Sequence, residues 1–121
     1  MSETYFFDTY AFFEIIRGNP KYEKYAKATA ITAIFNLAEL NYGLKKETTK
    51  ATADEITKNY STFLVEATMQ DIIEAMDLKT KNRKLSIPDV VGYIIAKRMN
   101  VKFLTGDKGF KNIKNVEFVK K

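Results

Sequence analysis

Ser86-Ile87-Pro88-Asp89-Val90-Val91-Gly92-Tyr93-Ile94-Ile95-Ala96-Lys97-Arg98-Met99, followed by Asn100-Val101-Lys102-Phe103-Leu104-Thr105-Gly106-Asp107, decides the fold. Ser86-x-x-Asp89 is a capping-box pattern and Pro88 suits a first helical turn, so a helix is expected from Pro88 to about Met99. Val90, Val91, Tyr93, Ile94, Ile95 and Ala96 make it apolar over much of its circumference, which predicts burial. Asp89, Gly92 and Ala96 share one face, where the small residues permit close packing. Val101 to Leu104 then reads as a strand. The 12 helical residues cover about 18 Å, and the 5 residues 101–105 return about 16 Å. The chain goes out and comes back by nearly the same distance, so Asp89 and Asp107 are expected on one edge.

The preceding chain alternates in the same manner. Tyr5-Phe6-Phe7 is an apolar run ending in Asp8-Thr9 and reads as a buried first strand. A helix from Tyr10 to Arg17 stops at Gly18 and Pro20, and Asn19-Pro20 opens a second helix to about Ala28. Ile31 to Phe35 reads as a second strand, and Asn36 begins a helix from Leu37 to about Lys46. Asp54 to Tyr60 reads as helix, Thr62 to Val65 as a third strand, and Thr68-x-x-Asp71 caps a helix carrying Ile72, Ile73 and Met76. Lys79 to Lys84 is a basic connection, and Val116 to Val119 a candidate edge strand. Strands alternating with helices imply right-handed crossovers and an α/β fold, a mainly parallel sheet of four to five strands with helices on both faces.

Composition limits the chemistry. The chain has 121 residues, the size of a single domain spanning 1–121, with 45% apolar and 29% charged residues, as in a globular protein. It contains no cysteine and no histidine, which excludes a disulfide framework, a thiol nucleophile, a Ser-His-Asp triad and any His- or Cys-ligated metal. No apolar run approaches the length of a membrane span, and Met1-Ser2-Glu3-Thr4 lacks the basic start of a signal peptide, so a cytoplasmic protein is expected. Charge is uneven: residues 1–78 hold 8 Lys/Arg against 12 Asp/Glu, whereas residues 79–121 hold 12 against 3. The basic second half suits a polyanionic partner such as nucleic acid; it would equally serve as a solvated lysine-rich surface.

Four carboxylates fall at comparable places. Asp8 follows the first strand, Glu39 lies in the first turn of the helix after the second, Asp89 in the first turn of the helix leading into the fourth, and Asp107 after that fourth strand. In a parallel sheet these are positions on the carboxyl edge, where open α/β folds place ligands. Each has a structural alternative: Asp8 as a helix cap, Glu39 and Asp89 as the acids of capping boxes with Asn36 and Ser86, Asp107 as a turn residue between glycines. Glu39 also lies opposite the stripe of Leu37, Leu40 and Leu44, on the solvent side of its helix. Carboxylates crowded on one edge raise one another's pKa values, and a divalent cation relieves the repulsion. With oxygen donors alone, that cation would be Mg²⁺ or Mn²⁺, ions that polarise phosphoryl groups and acidify bound water.

Together, Phe6-Phe7-Asp8-Thr9, Phe35-Asn36-Leu37-Ala38-Glu39-Leu40, Ile87-Pro88-Asp89 and Phe103-Leu104-Thr105-Gly106-Asp107-Lys108-Gly109-Phe110 make the chain resemble, over its whole length, a PIN-domain ribonuclease of the VapC-type toxins. The resemblance implies a PIN-like fold and a Mg²⁺- or Mn²⁺-dependent endoribonuclease acting on single-stranded RNA. It assigns the catalytic acids to Asp8, Glu39, Asp89 and Asp107, with Asp8, Asp89 and Asp107 as metal ligands and the hydroxyls of Thr9 and Thr105 in support. It also implies a homodimer neutralised by a small antitoxin. Many members carry a further acid two residues after the position matched by Asp107; here that residue is Gly109, which removes a ligand for a second ion.

Lys108, adjoining Asp107, and Lys81, Arg83 and Lys84, preceding the helix of Asp89, are the candidate RNA contacts. The homodimer has a motive of its own in Tyr10, Phe12, Phe13, Ile15 and Ile16 of the first helix, with Tyr5, Tyr22 and Tyr25, more aromatic surface than one sheet face needs. Two other functions fit parts of the pattern. A PIN-like module could bind RNA or protein without cutting. An aspartate-nucleophile phosphatase would use Phe7-Asp8, but needs a second Asp where Tyr10 stands.

Overall fold

The computed structural model describes residues 3–120; Met1, Ser2 and Lys121 lie outside the described residues. Four strands, β1 (Thr4–Phe7), β2 (Thr29–Ile31), β3 (Lys102–Thr105) and β4 (Val116–Phe118), form one sheet in the order β2-β1-β3-β4, and every pairing is parallel. Six α-helices cover it: α1 (Thr9–Ile16), α2 (Glu23–Ala26), α3 (Ile34–Glu47), α4 (Lys50–Asn59), α5 (Met69–Lys81) and α6 (Ile87–Arg98). None of them is long and apolar enough to cross a membrane.

Alternation along the strands sends neighbouring side chains to opposite faces and creates two cores. Tyr5, Phe7 and Leu104 meet Phe12, Tyr22, Tyr25, Leu37, Leu40 and Leu44 on one face. Phe6 and Phe103, stacked with ring centroids 5.6 Å apart, meet Val90, Val91, Ile94, Ile95 and Phe110 on the other. Helix α6 lies so close to the sheet that a Cβ at Gly92 would fall 2.6 Å from the Phe6 ring. Only glycine permits that approach.

Both capping boxes predicted for α5 and α6 form. Thr68 and Asp71 cap α5, and Ser86 and Asp89 cap α6. Asp71 is also buried, and Arg98 grips it from the last turn of α6, with Nε 2.9 Å from Oδ1 and Nη2 2.9 Å from Oδ2. Arg98→Met would leave the Asp71 carboxylate buried without its cation. Because Arg98 is itself part-exposed, we expect a loss of about 2 kcal/mol, below the range for fully buried pairs, read from urea unfolding.

The structure corrects five of the expected elements. The second strand occupies Thr29–Ile31 rather than Ile31–Phe35, and Ile34 and Phe35 already belong to α3. Thr62–Val65 makes no strand: Tyr60–Phe63 is a 3₁₀ turn, and only a Thr32–Leu64 bridge remains. The helix placed at Asp54–Tyr60 is α4, starting at Lys50, and α5 extends to Lys81 into the basic connection. Between Pro20 and Ala28 a 3₁₀ turn, Pro20–Tyr22, precedes the short α2.

The aromatic motive for association also fails. Tyr5, Phe12, Tyr22 and Tyr25 are buried in the first core, and Tyr10, Phe13, Ile15 and Ile16 pack against it. α1 needs so many aromatics because it packs on β1 and also faces α2 and α3. Among the described residues the large apolar side chains left exposed lie elsewhere: Ile34, Phe35 and Tyr42 on α3, Met69 and Ile73 on α5, and Ile87 and Met99 at the two ends of α6.

Candidate active site

The carboxyl edge of the sheet collects the ends of β1 and β3 and the starts of α1, α3 and α6. Asp8 leaves β1, with its N–H on the Leu104 carbonyl at 3.3 Å, and becomes the N-cap of α1. Its Oδ1 accepts from the Ala11 N–H at 2.7 Å. The capping alternative for Asp8 therefore holds, and the same residue stands on the carboxyl edge beside Asp89 and Asp107. Only 2% of Asp8 is exposed. Burial pushes its carboxyl up to about 8; hydrogen bonds from Thr105 and the Ala11 N–H oppose the rise, while the charges of Asp89 and Asp107 add to it.

Asp89 lies in the first turn of α6. Its Oδ2 accepts from the Ser86 N–H at 2.9 Å, and its own N–H donates to Ser86 Oγ at 3.2 Å. Partial burial raises its carboxyl above the ordinary range, against the Ser86 hydrogen bonds and the nearby Lys79 ammonium, and Asp107 raises it further. Asp107 caps the 3₁₀ turn Lys108–Phe110 by accepting from the Gly109 N–H at 2.9 Å. Thr105, fully buried, joins two of the acids: its hydroxyl bonds the Asp8 carboxyl and accepts from the Asp107 N–H at 3.1 Å. Asp8, Asp89 and Asp107 therefore act on one another electrostatically.

Glu39 reaches the edge by another route. It is exposed on α3, and its Oε1 accepts from Thr9 Oγ1 at 2.7 Å, which ties it to the residue after Asp8. Asn36 does not cap α3. Ala33 occupies that place without a side-chain bond, and Asn36 is buried inside the helix with its Nδ2 3.4 Å from Thr9 Oγ1.

The basic residues lie beside the Asp107 end of this edge. Lys81, Arg83 and Lys84 are exposed and line an open groove with Leu85 and Gly109, directly beside the Asp107 turn. Lys79 holds their loop through hydrogen bonds from Nζ to the carbonyls of Arg83 (3.2 Å) and Leu85 (2.7 Å). Lys108 is exposed on the turn itself. Lys79 and Asn36 were not among the residues expected at the site. Lys79 sits in a charge run that marks no single lysine, and Asn36 carries the signature of a cap.

Among the described residues no three carboxylates are gathered closely enough to form a finished metal cage. The donor set nevertheless fits Mg²⁺ or Mn²⁺. It is all oxygen, it centres on a buried carboxyl burdened by two others, and Mg²⁺ is usually held by one or two carboxylates with waters completing its shell.

Fold and edge define a doubly covered parallel α/β domain whose acidic carboxyl edge lies beside a basic loop. The chain belongs to the PIN domain family, whose model matches residues 5–116. Its fold is shared by a chain of a toxin–antitoxin complex from Klebsiella pneumoniae, at 22% identity and a TM-score of 0.72, covering 93% of this chain and 95% of that one. VapBC2 from Rickettsia felis bound to a DNA fragment from their promoter gives 19% identity and a TM-score of 0.71, covering 97% and 98%. PAE2754 from Pyrobaculum aerophilum gives 18% identity and a TM-score of 0.72, covering 98% and 92%. At these identities the likeness is one of fold. No curated protein sequence matches the chain.

Proposed function

We propose that the protein is a metal-dependent endoribonuclease and the toxin of a toxin–antitoxin pair. The observation that carries this is the buried Asp8 carboxyl, pushed up to about 8 beside Asp89 and Asp107 at the carboxyl edge. A site that buries one carboxyl beside two other acids, at a cost to its ionised form, suits a cation. Family membership supports nuclease chemistry, and toxin–antitoxin complexes among the like-folded structures support an antitoxin partner. A divalent ion bound there would polarise a phosphoryl oxygen and lower the pKa of water. Asp8, Asp89 and Asp107 would hold it, Thr105 would orient two of them, and Glu39 would face the site from α3 on its Thr9 tether. Lys108 and the loop of Lys81, Arg83 and Lys84 would take the RNA backbone. A homodimer would use the exposed Ile34, Phe35, Met69 and Ile73 rather than the aromatics of α1.

Without histidine the chain lacks the usual acid/base pair for attack by the 2′ hydroxyl. Water is the nucleophile: it attacks phosphorus, the bond to the 3′ oxygen breaks, and that oxygen takes up a proton. The products are a 5′ phosphate and a 3′ hydroxyl, with no protein-bound intermediate. Purified protein freed of any partner, incubated with total RNA and Mg²⁺, should give these ends, and EDTA should suppress them. Ends bearing 2′,3′-cyclic phosphate would contradict the route, and no cleavage with Mg²⁺ or, in a parallel sample, Mn²⁺ would favour a binding module.

A further inference from the structure

Among the described residues one buried side-chain polar atom lacks a hydrogen-bond partner, Asn36 Oδ1. Asn36 is 1% exposed, and its place inside α3 adds a second disadvantage, because asparagine is a poor helix former away from a cap. A leucine of the same shape would remove both costs. What the amide supplies is its other end. Nδ2 faces Thr9 Oγ1 at 3.4 Å, and Thr9 donates to Glu39 Oε1 at 2.7 Å. The Thr9 hydroxyl has one hydrogen and a competing acceptor, the Asn36 carbonyl, also at 3.4 Å. A donor at Asn36 occupies a lone pair of Thr9 Oγ1 and leaves the hydrogen directed at Glu39. Glu39 is exposed on a long, flexible stem, so it needs such a tether.

We propose that Asn36 is a positioning residue: acting through Thr9, it holds the Glu39 carboxylate against the first turn of α1, next to Asp8, ready for a divalent cation. This rests on the metal-dependent reading above. Outer partners of a ligand typically change metal affinity 10- to 100-fold when removed.

The test is Mn²⁺ binding by the intact protein, followed by electron paramagnetic resonance of the free ion, with unfolding temperature in EDTA alongside. Asn36→Leu and Thr9→Val should each weaken Mn²⁺ binding about tenfold. The double variant should bind no more weakly than Thr9→Val alone. Asn36→Leu should not lower the unfolding temperature, which a merely structural asparagine would. Unchanged Mn²⁺ affinity in Asn36→Leu, or losses that add in the double variant, would overturn the proposal. Should Asn36→Leu not fold, unchanged affinity in Thr9→Val has the same force. Asp107→Asn separates the two levels. If it binds Mn²⁺ as the unsubstituted protein does, or if neither binds, the metal reading itself fails and the positioning role with it. If it alone loses binding, only the positioning role is lost.

Discussion

Asp8→Asn is expected to abolish RNA cleavage and, in EDTA at pH 8, to raise the unfolding temperature. The two effects have one source. Asp8 is buried, and its carboxyl stands at about 8 in the folded protein against an ordinary value of 3.8. Between those values the folded chain keeps a proton that the unfolded chain has lost. Stability of the metal-free protein therefore falls as pH rises, by at most about 1.4 kcal/mol per pH unit, and levels off outside that window. Asparagine carries no charge, so the part of the slope that Asp8 contributes should disappear, leaving the smaller part from Asp89. It can still cap α1, because its Oδ1 can accept the Ala11 N–H as the carboxylate does. A divalent cation held at the proposed site would reverse the sign for the unsubstituted protein. It would bind the ionised carboxylates, so stabilisation by Mg²⁺ should grow with pH, while Asp8→Asn should gain little. Thermal unfolding from pH 5 to pH 8, with EDTA and with Mg²⁺, separates these outcomes. A variant that lost both activity and stability at pH 8 would make Asp8 a structural cap only.

The stretch 86–107 was legible because its signals are local. Ser86, Pro88 and Asp89 mark a helix start within four residues, and α6 and β3 lie within one residue of their expected ends. The N-terminal side of α3 was not. Its cap is Ala33, which makes no side-chain bond, so nothing in the sequence announces the turn from β2 into helix. Ile34 and Phe35 look like strand residues, yet they are exposed on the helix because α3 must begin there to carry Leu37, Leu40 and Leu44 into the core. The same missing signal made Asn36 look like a cap. Leu64 pairs with Thr32 at one bridge only, a long-range choice that β-propensity could not anticipate. For Asp8, Asp89 and Asp107 the sequence supplied the edge, since strand ends and helix starts fix it. The tether from Thr9 to Glu39, 30 residues apart, needed the fold.

Neutralising Lys81, Arg83 and Lys84 together with glutamine should weaken RNA binding strongly and flatten its salt dependence. The loop is exposed, its groove reaches Gly109, and Gly109 donates to Asp107, so an RNA strand laid across the acids passes over these cations. Each phosphate contact contributes about 0.7 to the slope of log affinity against log salt for a single strand. Losing all three should therefore lower the slope by about 2. Lys79 should not be included, since its Nζ holds the loop carbonyls and its loss would move the loop itself. Binding is best measured with Asp8→Asn in EDTA, where no strand is cut, on an unstructured RNA at several salt concentrations. Equal affinity and equal slope for the triple variant would show these lysines and the arginine to be a solvated surface. Lys108→Gln would then become the decisive change, because it stands on the Asp107 turn itself.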